Sequence, residues 1–418
     1  MRFNRLWHLV FGLDRRTIVE DVHVDGFAPT VTVRVRPHSR EARRCGICGR
    51  RCPLYDRGGG PRLWRGLDLG TIQTYIQAEA PRVHCPNHGV VVAAVPWARH
   101  AAGHTYAFDD QVAWLATHCS KLAVCQLMRI AWATVGAIVE RVVSDARRRS
   151  DPFAGLRRIG IDEISYRRGQ RYLTIVVDHD TGRLLWVAPG RDEATVSRFF
   201  ELLGPARCAQ LWMVSADGGV WIHNAVRNHC PNAELCIDPF HVVSWATDAL
   251  DELRREVWNT ARHSGQHAVA ADLRGARWAL WKNPKDLTTR QQAQLADIAR
   301  TNRPLYRGYL LKEQLRQVFR LPHSQAIPLL THWLSWASRC RLAPFVRLAK
   351  TIRKHFVGID AALRYRLSNA RIEAVNTRIR LITRVAFGFH SADALAALAL
   401  LSLGGYCPDL PGRPLCRA

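Results

Sequence analysis

The chain has 418 residues, 48% of them hydrophobic, which is apolar content enough for the cores of about two or three domains and excludes disorder as the default state. Its 60 Lys and Arg against 35 Asp and Glu leave a formal charge of +25. That excess recurs along most of the chain, so a phosphate-rich partner explains it better than solubility alone, and the predominance of Arg suits forked contacts to phosphate and guanine edges.

At the start of the chain, MRFNRLWHLVFGLDRR is broken by His8 and Asp14 and lacks the sustained apolar stretch of a secretion signal. From Thr17 to about Val90, β-branched and polar residues alternate in TVTVRVR and TIQTYIQA with Gly and Pro between them, the pattern of short strands. Within this stretch Cys45-Gly-Ile-Cys48 and Cys85-Pro-Asn-His88 repeat one spacing and predict a tetrahedral Cys3His site for structural Zn²⁺, with Cys52 and His84 in reserve. Ordinary buried cysteines beside a surface histidine are the competing reading, but two such pairs in one short β-rich segment seldom arise from packing. Other cysteines, such as Cys208, Cys340 and Cys416, are scattered, as expected of a reducing cytoplasm. Residues 1–100 are therefore expected to form a β-rich zinc-binding domain.

The stretch DDQVAWLATHCSKLAVCQLMRIAWATVGAIVERVV turns to helical spacing, with a turn near Ile130 and a last helix opening at Trp132 ahead of the apolar stripe Ile138, Val139 and Val142. Any small helical hairpin reads similarly; a position between a zinc module and a basic linker favours a helix-turn-helix DNA-binding domain over 101–150. Pro and Gly in RRRSDPFAGLRR set a boundary near Asp151.

After the boundary, IGIDEISYRR and RYLTIVVDHDTGRLLWVA read as strands with a hairpin turn at DHDTGR, followed by strands alternating with helices. This predicts a mixed α/β sheet of the RNase H type, whose first part covers 151–243. Residues 244–364 read as an all-helical insertion, 365–404 as the last helices of the catalytic domain and 405–418 as an irregular tail. Most of Trp258, Trp278, Trp281, Trp333 and Trp336 of the insertion are expected in its core rather than stacked on unpaired bases near the cut. The apolar run ALAALALLSLGG is too short to cross a bilayer, and no membrane role is expected.

Acidic residues are scarce, so those at strand ends carry weight. In GIDEIS, Asp162 and Glu163 point to opposite faces of the strand; one alone can join a site, and burial does not decide which. Asp217 closes LWMVSAD at the carboxyl end of a strand, where Gly218 and Gly219 would let a substrate backbone come close. Asp238 of CIDPFHV stands at a comparable strand end but fits a helix cap. Along SNARIEAVNTRIRLITR the residues Ile372, Val375, Ile379 and Ile382 share an apolar stripe, while Glu373, Asn376 and Arg380 share another face, where Glu373 is either a solvated glutamate or a metal ligand. Three carboxylates are about the minimum that two Mg²⁺ or Mn²⁺ ions, roughly 4 Å apart, require for phosphodiester chemistry.

In this order, CGICG, CPNH, GIDEISYRRGQRYLTIVVDHDTGRLLWVAPGRD, SADGGVW, IDPFHVV, ALDELRREV, NPKDLT and SNARIEAVNTRIRLITRVAFGF resemble the DDE transposases of the bacterial ISL3 insertion-sequence family. The resemblance covers most of the chain. It departs from the family at His88, where a cysteine is common, and at Ala370, where similar sequences tend to carry Gly. It implies a zinc ribbon, a helix-turn-helix and an RNase H-like domain interrupted by a helical insertion, with catalytic and metal-binding acids at Asp162, Asp217 and Glu373. It further implies binding to double-stranded DNA at inverted repeats and target sites, cleavage and strand transfer, and a homodimer or higher assembly on DNA. A catalytically silent DNA-binding regulator derived from such an enzyme is the alternative; a plain RNA-cleaving nuclease would leave the zinc module and reader helix idle.

Overall fold

The computed structural model describes residues 3–167, 169, 171–367, 370–389 and 391–413, so Cys416 and the Ser368-Asn369 pair of the SNARIE motif lie outside the described residues. Contacts divide the chain into two units, Met1–Pro152 with Leu381–Ala418, and Phe153–Arg380.

The first unit opens with helix α1 (Phe3–Val10) and strands β1 (Thr17–Asp25), β2 (Thr30–Pro37), β3 (Leu54–Asp56), β4 (Pro61–Arg65), β5 (Gln73–Glu79), β6 (Arg82–Cys85) and β7 (Gly89–Val92). Four of them form a sheet in the order β1-β2-β5-β4, with β2 and β5 parallel. The period of two turns Val31, Val33 and Val35 of β2 and Ile76 and Ala78 of β5 inward onto Trp64 and Trp97. A smaller sheet, β3-β6-β7, has a core of only Cys45, Cys52, Val83, Cys85 and Ala93 flanked by Val91. So thin a core needs another source of stability.

Helices α2 (Tyr106–His118), α3 (Lys121–Met128) and α4 (Trp132–Arg149) follow. Thr105 and Ser120 cap α2 and α3 by accepting from the amides of Phe108 and Ala123. The chain leaves α3 through Arg129 in the left-handed region (φ 52°) and enters α4 after a bend of 100°, the angle of a helix-turn-helix. The predicted stripe Ile138, Val139 and Val142 is buried. A charged cluster fastens the bundle: fully buried Asp109 accepts two bonds from Arg141, both 3.0 Å, while Arg99 lies 3.5 Å from Asp109 and donates to Asp110 (2.6 Å) and Asp145 (2.9 Å). Asp109→Ala leaves Arg141 beside a vacated buried position, while Arg99 keeps Asp110 and Asp145, and is expected to cost about 3–5 kcal/mol, read as a lower urea midpoint at unchanged slope.

The second unit carries β8 (Arg158–Arg167), β9 (Arg171–Asp178), β10 (Leu184–Pro189), α5 (Glu193–Leu203), α6 (Pro205–Cys208), β11 (Met213–Ala216), α7 (Val220–His229) and β12 (Glu234–Ile237). Its sheet has the order β10-β9-β8-β11-β12: the first three strands are antiparallel, with the expected turn at 179–183, and β8, β11 and β12 are parallel. Ile159, Ile161, Val176 and Val214 pack on Phe199 and Phe200 of α5 and on Ile222 of α7.

Helices then run from α8 (Pro239–His263) through α9 (His267–Gly275), α10 (Arg277–Trp281), α11 (Thr289–Thr301), α12 (Arg303–Val318), α13 (His323–Arg339), α14 (Ala343–Lys354) and α15 (Phe356–Arg364) to α16 (Ala370–Val385). Trp333 is fully buried and donates to Leu311 O at 2.8 Å; Trp258, Trp281 and Trp336 pack half-buried on the same core, whereas Trp278 is 55% exposed. Helix α17 (Ala392–Leu403), which sequence order grouped with α16 over 365–404, packs instead on α4 and α2. It is apolar on nearly every side, so periodicity could not name its partner. Among the described residues no single helix is long and apolar enough to cross a membrane.

Candidate active site and metal centre

The two ligand pairs meet in the thin sheet. Cys45, beside β7, and Cys85, ending β6, are fully buried, and Cys48 and His88 close over them from exposed turns. Cys48 Sγ lies 3.8 Å from Cys85 Sγ, and His88 Nδ1 lies 3.6 Å from Cys45 Sγ and 3.5 Å from Cys85 Sγ. These are the edges of a tetrahedron around an ion bonded at about 2.0–2.3 Å, so the donor set fits Zn²⁺. Burial opposes ionisation of Cys85, yet the amides of Asn87 and His88 and the His88 ring bring its thiol down to about 6, toward the thiolate a metal requires. Neither reserve ligand joins: Cys52 gives its thiol to Arg50 O at 3.3 Å, and His84 is exposed on β6.

In the second unit the strand register gathers the acids. Ser215 pairs with Gly160 and Ala216 with Ile237, so Asp217 leaves β11 level with Asp162 on one side and Asp238 on the other. Asp162 accepts from Asn376 Nδ2 at 2.6 Å and from the Glu163 amide at 2.7 Å. Burial pushes its carboxyl above the ordinary range and Asp217 adds repulsion, against the Glu163 amide, Asn376 and His241. Glu163 turns to the other face, where Trp221 Nε1 donates to it at 2.9 Å and Arg191 forms an ion pair with it. Burial and then Asp217 raise its carboxyl too. Asp217 repels both acids, and on the face that carries Asp162 a bound cation would relieve that repulsion.

Asp217 Oδ1 accepts from Gly219 N at 2.8 Å, and its carbonyl accepts from His223 Nε2 at 3.1 Å. The expectation that Gly218 leaves room for a substrate backbone is corrected: a Cβ there would come within 2.7 Å of the Trp245 ring, so the glycine serves close packing. Asp238 caps α8 as expected, accepting from Phe240 N at 2.8 Å, with His241 Nε2 3.6 Å from its other oxygen.

Glu373 is exposed in the first turn of α16 and, with Asp238, lines a cleft of about 640 Å³. Two contacts seat this helix. Arg371 donates to the carbonyls of His179 and Asp180, and Ile372 lies so close to β8 that a Cβ on Gly160 would stand 2.1 Å from its Cδ1. Gly160→Ala is therefore expected to cost about 1–3 kcal/mol by overpacking, with part recovered in a Gly160→Ala/Ile372→Ala double variant measured by thermal unfolding.

Sequence periodicity placed Asn376 with Glu373 on a polar face; the structure buries it to 6% exposure against Asp162, with its Oδ1 unsatisfied. The signal was present in the spacing, since residues three apart on a helix share a side. Among the described residues, Cys45, Cys48, Cys85 and His88 form the one group of candidate metal ligands whose ligand atoms all lie within 4.8 Å of one another; Asp162, Asp217 and Glu373 do not form a group of this kind.

A zinc ribbon, a helix-turn-helix and an acid-bearing mixed sheet followed by inserted helices define a DNA-processing protein of the transposase class. The family model described as a transposase matches residues 159–399, that for the helix-turn-helix domain of transposase family ISL3 matches 93–143, and that for the zinc-finger of transposase IS204/IS1001/IS1096/IS1165 matches 41–88. The chain belongs to the ISL3 family of insertion-sequence transposases. It is 56% identical over 436 aligned positions, covering 99% of this chain and 98% of the relative, to the transposase for insertion sequence element IS1557 of Mycobacterium tuberculosis strains CDC 1551 / Oshkosh and H37Rv. To the transposase for IS1001 of Bordetella parapertussis it is 25% identical over 374 positions, 87% of this chain and 89% of that one.

Proposed function

We propose that the protein binds the inverted repeats of its insertion sequence, cleaves phosphodiester bonds at the ends and transfers the 3′-hydroxyl strand to target DNA. The sheet order, with three antiparallel strands continued by two parallel ones, supports an RNase H-like catalytic core over 151–243, resumed by α16 after the helical insertion. Asp162, Asp217 and Glu373 serve as ligands for Mg²⁺ or Mn²⁺. When bound, the divalent cations activate the attacking oxygen and stabilise the leaving one.

The single observation that carries this reading is the shared level of Asp162 and Asp217 on adjoining parallel strands, with Asp162 tied to α16 through Asn376, one turn from Glu373. Asn376 holds the Asp162 carboxylate in place, and its unsatisfied Oδ1 offers one more oxygen at the site. Asp217 is fixed by the Gly219 amide, so two of the three carboxylates are oriented before any ligand arrives.

DNA reading falls to α4. Trp132 at its start is 53% exposed beneath the Lys121 ammonium, and Ala133, Ala137 and Glu140 follow on its open face, as suits a helix entering the major groove. Two element ends must be held together, so assembly on DNA is at least dimeric. The protein acts in the cytoplasm, on double-stranded DNA.

The test is a labelled duplex bearing the element's terminal repeat, incubated with purified protein and Mg²⁺ or Mn²⁺. Nicking at the element boundary is the expected result. Protein that binds these ends but never nicks them is a DNA-binding regulator instead. Binding is expected to weaken with salt at a log-log slope of about −0.9 per phosphate neutralised, and a flat response contradicts the electrostatic reading of the +25 charge.

A further inference from the structure

The cleft beside the acids has no assigned occupant. Its walls come from three places in the second unit: Asp238 and Phe240 at the start of α8, Phe319 and Arg320 in the turn between α12 and α13, and Arg366 and Glu373 on either side of the α15–α16 junction. At about 640 Å³ it lies within the roughly 300–1,000 Å³ range of pockets that enclose a small organic ligand. Phe240 presents 60% of its surface, unusual for a large apolar ring next to a buried Asp. Arg320 and Arg366 are exposed and make no ion pair among the described residues. Arg366 is further held at φ 48°, a backbone conformation that costs a side-chain-bearing residue energy.

We propose that this cleft receives one unpaired nucleotide of the DNA end, its base stacked on Phe240 and its phosphates held by Arg320 and Arg366. The inference rests on the transposase reading above and deepens it. Every base offers a π-face to an aromatic ring whatever its sequence, and forked guanidiniums match phosphate oxygens. The chemistry of the walls therefore fits a nucleotide better than a peptide or a lipid. Because Asp238 and Glu373 belong to both the cleft and the acid cluster, a base lodged here leaves its own backbone beside the candidate metal ligands. A base pulled from the stack frees the adjoining phosphodiester from duplex geometry so that it can enter a concave site. The helical insertion then contributes directly to DNA binding, since its turn at 319–322 lines the same cleft as Phe240.

The experiment uses the full-length protein and duplex ends carrying 2-aminopurine in turn at each nucleotide flanking the element boundary, with Mg²⁺ present. Wild-type protein is expected to raise the fluorescence at one flanking position before cleavage. Phe240→Ala and the Arg320→Ala/Arg366→Ala pair lose that rise and cut fully paired ends about tenfold more slowly, within the range that stacking of one base on an aromatic ring contributes. A mismatch at the same position, which removes the need to unpair, restores cutting by Phe240→Ala toward the wild-type rate, and Phe240→Tyr retains both signal and rate. The proposal is overturned if wild-type protein cuts normally with no fluorescence rise at any flanking position. It is also overturned if Phe240→Ala is equally slow on paired and mismatched ends, which marks a structural role, or if the variants change only self-association, which gives the cleft to a second copy of the chain. Wild-type protein that neither binds nor cuts the ends overturns the transposase reading itself, an outcome visible before any variant is made.

Discussion

Asp162→Asn is expected to abolish Mg²⁺-dependent cleavage of repeat-bearing DNA while leaving end binding nearly intact. A metal ligand contributes several kcal/mol at the transition state, and at about 1.4 kcal/mol per factor of ten its loss should exceed roughly 10³-fold in rate. A structural role predicts something else, because the change also acts on the metal-free fold with the opposite sign. The Asp162 carboxyl is raised above its ordinary value of 3.8, so the folded state binds that proton more tightly than the unfolded chain does. Its contribution to stability falls as pH rises from the ordinary value through the raised one, and at neutral pH the burial cost is complete. Asp162→Asn removes an ionisable group from this position, so the metal-free variant should melt higher than wild type at neutral pH and no higher below about pH 4. A variant that neither cuts nor folds would show that Asp162 supports the sheet rather than the chemistry.

Chelating the zinc, or replacing Cys45 with Ser, is expected to unfold the β3-β6-β7 module and with it specific end binding. The apolar side chains of that sheet amount to Val83, Val91 and Ala93 around the sulfurs, far too little to order it alone. A structural zinc contributes on the order of 10 kcal/mol in modules of this kind. Losing it should delete the module's cooperative transition while the Phe153–Arg380 unit keeps its far-ultraviolet signal, because that unit has its own cores. Metal analysis of purified protein should return one zinc per chain. Protein without zinc, in which Cys45→Ser leaves the thermal profile unchanged, would show that the four ligands are packing residues.

Much of the fold was legible in the sequence because its signals are local. The two ligand pairs at fixed spacing, the turn near Ile130, the Ile138, Val139 and Val142 stripe and the DHDTGR hairpin each depend on a few neighbouring residues whose geometry the chain itself dictates. What the sequence could not settle is what faces what at long range. Periodicity assigned Asn376 to a polar face without saying that this face meets β8, so the contact with Asp162, 214 positions away, had no local signature. The glycine at 218 announced a close approach, but Trp245 rather than a ligand fills the space. Asp238 read as a helix cap and is one, yet the same residue also walls the cleft beside Glu373. A capping pattern describes a backbone need and is silent about the second carboxylate oxygen. Helix α17 gave the strongest apolar signal in the C-terminal segment and the least information about its seat on α4 and α2, since a helix apolar all round has no face to read.

Iron bound in place of Mg²⁺ can report its own ligands, because Fe²⁺ with ascorbate and peroxide generates hydroxyl radicals that cut the nearest backbone. Fragments of the DNA-bound protein, sequenced by mass spectrometry, are predicted to end in three clusters around residues 162, 217 and 373, all suppressed by excess Mg²⁺ and weakened by Asp162→Asn. Cuts near 162, 217 and 238 with none near 373 would contradict the account, transferring the third ligand from α16 to the cap of α8.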